Sequence, residues 1–159
     1  MRLKATSYQF KVKTDWQSDL TSLASAPDLR QVIVVSPPAA MLGGDTETAW
    51  SPEHLLLAAV AGCFLNTFQA LADNEGFQIR GLECPAVGTV QLTDGRFAFT
   101  DIEITPVITL SEDSDEPKAR QLADKAKHYC LISNSLKCPV TMSLSFRAID
   151  VQVENLAGL

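Results

Sequence analysis

The sequence predicts an α+β fold, and three observations predict it. Several short segments alternate apolar and polar residues with period two, as in Val140 to Phe146. One long segment, opening at Ser51, is apolar on all sides through its first half. A second segment, from Ala119 on, repeats its apolar residues with a helical period. Alternation marks strands with one wet face, and the two other patterns mark a buried and an amphipathic helix. Strands and helices in this order make an α+β domain. The 159 residues are read as a single domain over 1–159, with no internal repeat and no low-complexity linker.

The elements follow in order. Tyr8, Phe10 and Val12 alternate with Gln9, Lys11 and Lys13, which predicts a strand. A stretch rich in serine and aspartate leads to Asp28, and Val32 to Val35 reads as a more buried strand stopped by Pro37-Pro38. Ala39 to Trp50 contains Gly43-Gly44 and reads as a loop.

Ser51-Pro52-Glu53 is a helix start: serine caps, proline suits the first turn, and glutamate favours the positive end of the dipole. This helix is expected to run to Asp73 and to end at Asn74-Glu75-Gly76. Residues Leu55 to Leu65 leave it no polar face. Such a helix must be enclosed on most sides, and one sheet covers only one face, so a second subunit is expected to supply cover.

Val90 and Leu92, then Asp94-Gly95, then Phe97 and Phe99 read as a hairpin. Ile102 to Leu110 makes or extends a strand, with Pro106 at an edge or bulge. After the acidic Ser111–Glu116 loop comes the amphipathic helix. Its apolar residues Ala119, Leu122, Ala123 and Ala126 are followed by Cys130, eleven positions after Ala119. Eleven steps of 100° return to within about 20° of the start, so Cys130 falls on the buried stripe. Val140, Met142, Leu144 and Phe146 form a last strand.

Composition narrows the function. The charged fraction is 20% and the net charge −6. That balance argues against a nucleic acid or an anionic membrane surface as partner. The eleven apolar residues Leu55–Leu65 fall short of the roughly 20 that span a bilayer. No apolar stretch follows Arg2 and Lys4, so no secretory signal is expected. These features place the protein in the cytoplasm, where thiols stay reduced. Cys63, Cys84, Cys130 and Cys138 contain no Cys-x-x-Cys pair, and His54 and His128 make no zinc pattern with them. No metal or other cofactor is expected.

Two motifs carry the chemistry. The first is Ser51-Pro-Glu-His-Leu-Leu-Leu-Ala-Ala-Val-Ala-Gly-Cys63-Phe, and the second is Ala126-Lys-His-Tyr-Cys130-Leu-Ile-Ser133-Asn134-Ser-Leu. Together they resemble the OsmC/Ohr family, named for osmotically inducible protein C and organic hydroperoxide resistance protein. In that family Asn/Ser-Pro-Glu opens the central helix with a cysteine ten residues after the glutamate. A second cysteine is followed three residues later by serine. The order of elements also matches over nearly the whole chain, in the manner of a less characterised OsmC-like branch.

The resemblance implies antiparallel sheets packed around a long buried central helix and a second helix, in an intertwined homodimer with both active sites at the interface. It implies a cysteine-based peroxidase for organic, and also inorganic, hydroperoxides, with Cys63, Cys130 and Glu53 as catalytic residues. Cys63 would be oxidised to a sulfenic acid and Cys130 would resolve it to a disulfide. An external dithiol, of the dihydrolipoyl type in some members, would reduce that disulfide. The alternative on the same fold is a non-catalytic dimer that senses oxidants or binds a small apolar ligand.

A thiol among leucines resists ionisation, so a cation beside Cys63 is needed. The family supplies an arginine from before the central helix, held by the residue matching Glu53. Here the arginines before Ser51 are Arg2 and Arg30, with Lys4, Lys11 and Lys13 besides, and 36–50 contains neither type. Leu131 stands where many members have proline. Ten residues of helix separate Glu53 from Cys63 by about 15 Å, so Glu53 must act through a bridging cation or across an interface.

The remaining candidates have plainer readings. Cys84, before Pro85, reads as structural, and Cys138 is a weaker substitute for the resolving thiol. His54 reads as a surface or packing residue, and His128 as a complement to the helix dipole. Trp50 and Phe64 fit either core packing or the wall of an apolar pocket.

Overall fold

A computed structural model describes residues 7–45, 47–111 and 115–148. The chain divides into two compact units, Met1–Ala59 and Val60–Leu159.

The first unit is a three-stranded meander followed by the start of a long helix. Strands β1 (Lys13–Ser18), β2 (Thr21–Ser25) and β3 (Ile33–Val35) pair antiparallel in that order. Of the strand expected over 8–13, residues 8–12 have no ladder partners among the described residues, and pairing begins at Lys13. The β1–β2 hairpin itself has no alternating pattern to announce it. Its turn is held by Asp19 at φ 47° and by the Trp16 indole N–H donating to the Asp19 carbonyl at 3.0 Å. The expected loop 39–50 contains one short helix, α1 (Ala39–Leu42), ended by Gly43 in the left-handed region. Trp50 then pairs with β3: its N–H donates to Val34 O, and Ser36 N–H donates to Trp50 O, both at 3.0 Å.

Helix α2 spans Pro52–Asn74. The His54 backbone N–H donates to Ser51 Oγ at 3.2 Å, so serine caps as its residue type predicts. The Ser51 N–H in turn points at His54 Nδ1 at 3.4 Å. This is a capping box with histidine in the position usually held by glutamate or glutamine. It gives His54 a structural partner that its sequence position did not reveal. The helix ends where the chain reaches Gly76 at φ 65°.

By length and composition α2 is apolar enough to cross a membrane, a length the eleven-residue run had not suggested. Core helices share that composition. Val60, Phe64, Phe68 and Ala72, four residues apart, are buried within the protein. They form one stripe, and much of the remaining helix surface is open or only half-buried in a single chain.

The second unit holds two three-stranded sheets. Strands β5 (Ala86–Thr93) and β6 (Arg96–Ile104) form the expected hairpin, with Asp94 and Gly95 at φ 51° and 75° in its turn. Two consecutive positive φ values are what a tight two-residue hairpin requires, and aspartate and glycine tolerate them. β8 (Val140–Met142) adds to β6 in parallel. In the other sheet β4 (Gly81–Glu83) pairs antiparallel with β7 (Val107–Leu110), which pairs in parallel with β9 (Ser145–Ala148). The segment 102–110 is therefore two strands, broken at Thr105-Pro106, because proline cannot donate to a ladder. The last strand is likewise two, divided between the sheets at Ser143-Leu144. The sheets are thus mixed rather than purely antiparallel.

Helix α3 (Glu116–Tyr129) buries Ala119, Leu122, Ala123 and Ala126 completely. Lys127 and His128 occupy its last turn, where positive charge complements the dipole. A four-residue helix, α4 (Leu131–Asn134), follows directly.

Candidate active site

Cys130 sits at the junction of α3 and α4, and local hydrogen bonds build its position. Its N–H donates to Lys127 O at 3.3 Å, and its carbonyl accepts from the Asn134 N–H at 3.0 Å. The Asn134 side chain reaches back to His128 O at 2.9 Å. This double tie holds the turn closed across the helix break. The Cys130 side chain, on the stripe the periodicity assigned it, is 1% exposed. Ser133 Oγ donates to Cys130 Sγ at 3.1 Å. The second motif contained Ser133, but no role could be read for it. Its signal was its position three residues on, where one turn of chain returns the hydroxyl to the sulfur.

Cys63 lies midway along α2, half-buried, and it lies within electrostatic reach of the Cys130 thiol. Thr67 Oγ1 donates to the Cys63 carbonyl at 2.7 Å, a back-bond of the kind that bends helices slightly. Burial pushes the Cys130 thiol up. The Ser133 hydroxyl and, secondarily, its amide pull the other way, and negative charge at Cys63 adds to the rise.

A third thiol belongs to this neighbourhood. Cys84, on the connection between β4 and β5, is half-buried, and burial, with a lesser push from Cys130's charge, raises its thiol to about 11. At neutral pH about one molecule in 10⁴ would carry a Cys84 thiolate. Iodoacetamide at pH 7.5 is expected to leave Cys84 largely unmodified in the native protein. In urea its labelling rate should rise about a hundredfold, read by peptide mass mapping. Since the folded-state pKa is raised, this site's stabilisation is complete below the unfolded pKa of about 8.5 and fades as pH climbs toward 11. Cys138 is half-buried on the segment leading from α4 to β8.

Glu53 and Trp50 belong to the first unit, at the start of α2. One carboxylate oxygen of Glu53, Oε2, is buried with no hydrogen-bond partner among the described residues. Ser51 Oγ lies 3.0 Å from His54 Nδ1, and the His54 ring meets Trp50 edge-on with centroids 6.5 Å apart. Trp50 and His54, with Glu47, Thr48 and Ala49, line a surface hollow. Phe64 lines nothing open: it is fully buried, its ring centroid 6.3 Å from that of Phe68. Arg80, Arg120 and Arg147 are engaged with Ser111, Glu116 and Glu83.

Residues 43–145 match the family described as OsmC-like protein. The chain belongs to this family. A curated relative is the uncharacterised protein YmaD of Bacillus subtilis, 26% identical over 140 residues, covering 86% of this chain and 92% of YmaD. Its lack of characterisation suits a less explored branch.

Among solved structures, an OsmC-like protein of unknown function from Vibrio cholerae superposes with a TM-score of 0.75 at 15% identity, covering 87% of this chain and 99% of that one. An organic hydroperoxide resistance protein OsmC from Legionella pneumophila superposes with a TM-score of 0.68 at 22% identity, covering 90% and 98%. These likenesses establish the α+β OsmC/Ohr fold. Leu131, the departure from the family's proline, is the first residue of α4. That position accepts proline or leucine without changing the turn.

Proposed function

We propose that this OsmC-like protein is a thiol peroxidase that reduces organic and inorganic hydroperoxides through Cys63 and Cys130. The observation that carries this reading is a partly open Cys63 close to a buried Cys130 whose sulfur accepts from the Ser133 hydroxyl. The hydroperoxide resistance proteins that share the fold support the substrate class.

The chemistry balances in three steps. The Cys63 thiolate attacks the terminal oxygen of ROOH; the O–O bond breaks, and RO⁻ takes a proton and leaves as alcohol. The Cys130 thiol then condenses with the Cys63 sulfenic acid, forming a disulfide and releasing water. An external dithiol, of the dihydrolipoyl type, finally exchanges with the disulfide and leaves as its own disulfide. Glu53 is the residue we assign to holding the activating cation. A buried carboxylate oxygen with no partner among the described residues supports that assignment, because such a group is costly unless paired. A cytoplasmic setting fits the need for a thiol reductant.

A homodimer completes the proposal. In the first unit Trp16, Leu29, Val32, Ile33, Met41 and Leu42 are exposed, and Val35 is its one buried apolar side chain among the described residues. A three-stranded meander without a core needs cover from another surface. The open sides of α2 ask for the same cover. Light scattering after size exclusion is expected to give twice the chain mass, and a stable monomer would remove this part of the proposal.

The test of the activity is peroxide consumption. Reduced protein is mixed with cumene hydroperoxide or hydrogen peroxide and a dithiol, using wild type, Cys63→Ser and Cys130→Ser. Equal rates in all three would end the peroxidase reading. Oxidation of Cys63 that no dithiol reverses would favour the oxidant sensor instead.

A further inference from the structure

We propose that Ser133 positions Cys130 as the leaving thiolate of the reductive step, so that the external dithiol attacks the Cys63 sulfur. The inference rests on the peroxidase reading and adds to it which sulfur is attacked and what stabilises the one expelled.

The two sulfurs differ in access. Cys130 is 1% exposed, while Cys63 is only half-buried. Thiol–disulfide exchange requires the attacking sulfur to approach one disulfide sulfur and expel the other. Approach to Cys130 is closed by its own chain, and a second subunit can cover Cys63 further but cannot uncover Cys130.

The two sulfurs also differ in how they could carry charge. Expelling Cys130 places a negative charge in a nearly dry site, where an unpaired charge is costly. The Ser133 hydroxyl, 3.1 Å from Cys130 Sγ and already donating, is placed to stabilise it.

The step balances as follows. A thiolate of the dithiol forms a bond to Cys63 Sγ, the Cys63–Cys130 bond breaks, and its electron pair goes to Cys130. The second thiol of the reductant then attacks the mixed disulfide and expels Cys63 as a thiolate. The cyclic disulfide of the reductant leaves, and one of its protons ends on Cys130. The burial that raises Cys130's thiol favours this final, neutral form. Ser133 touches no substrate in this scheme, so it is a positioning residue.

The test separates the reductive from the oxidative half. The disulfide is formed with diamide, which needs no peroxide, and its reduction by excess dithiothreitol is followed by stopped flow. Ser133→Ala is expected to slow this reduction about tenfold, as loss of a hydrogen bond to a charged leaving group predicts. Ser133→Thr should restore most of the rate. Oxidation of Cys63 by cumene hydroperoxide should be the same in all three proteins. In parallel, Ellman's reagent should label Cys63 of Cys130→Ser faster than Cys130 of Cys63→Ser.

Unchanged reduction in Ser133→Ala, equal slowing of both halves, or faster labelling of Cys130 would each overturn the inference. If diamide cannot join the pair, the inference and the peroxidase reading fall together. If diamide joins the pair with the Ser133 dependence intact and peroxide does not, only the peroxidase reading falls.

Discussion

Cys63→Ser is expected to bring hydroperoxide reduction down to the background reaction of dithiol with peroxide, a loss on the order of 10³-fold or more. The size follows from the chemistry. The nucleophile is a thiolate, and a serine hydroxyl supplies neither the ionised form nor a sulfur that can hold the transferred oxygen. Cys130→Ser should behave differently. Its first turnover should proceed at the wild-type rate, because Cys63 still attacks. The sulfenic acid then has no neighbour to condense with and should accumulate. Mass spectrometry of the two variants after one equivalent of cumene hydroperoxide reads this contrast: unmodified protein for Cys63→Ser, and one added oxygen on Cys63 for Cys130→Ser. The opposite pattern, with oxygen on Cys130, would exchange the assigned roles.

Phe68→Ala is expected to cost about 3–5 kcal/mol of stability, the usual range for removing a buried aromatic ring. Phe68 is fully buried and stacks at a tilt of 33° on Phe64, which is buried equally. Its ring sits on the Val60–Ala72 stripe, four residues beyond Phe64 and five beyond Cys63. The loss is a large part of the 5–15 kcal/mol that holds a typical protein folded. Urea unfolding followed by circular dichroism should show the midpoint fall by about 2 M, given slopes of about 1–3 kcal/mol/M. A loss under about 1 kcal/mol would mean that this stripe does not carry the core.

The elements that were legible in the sequence are those whose cause is local. The α3 stripe from Ala119 to Cys130 was read from a 3.6-residue period, and each of its apolar residues is buried. The Asp94-Gly95 turn and the Ser51 cap were read from residue types that suit a positive φ or an orphan N–H. What escaped had causes at a distance. Lys13–Ser18 and Thr21–Ser25 show no alternation, and they are strands because they pair with each other and with β3. Val140 to Phe146 alternates as one strand, yet β8 and β9 join different sheets, a division that only partners can impose.

The candidate site divides in the same way. From the sequence alone came two cysteines on helices, Cys130 on a buried stripe, a serine three residues after it, and a family likeness joining them. Only the tertiary structure decided that Cys63 and Cys130 meet, that the Ser133 hydroxyl donates to Cys130, and that Cys84 lies within electrostatic reach of that cysteine. A helical period sets which way a side chain faces but not what it faces. Cys63 on α2 and Cys130 at the α3–α4 junction lie far apart along the chain, so their closeness depends on how the second unit packs.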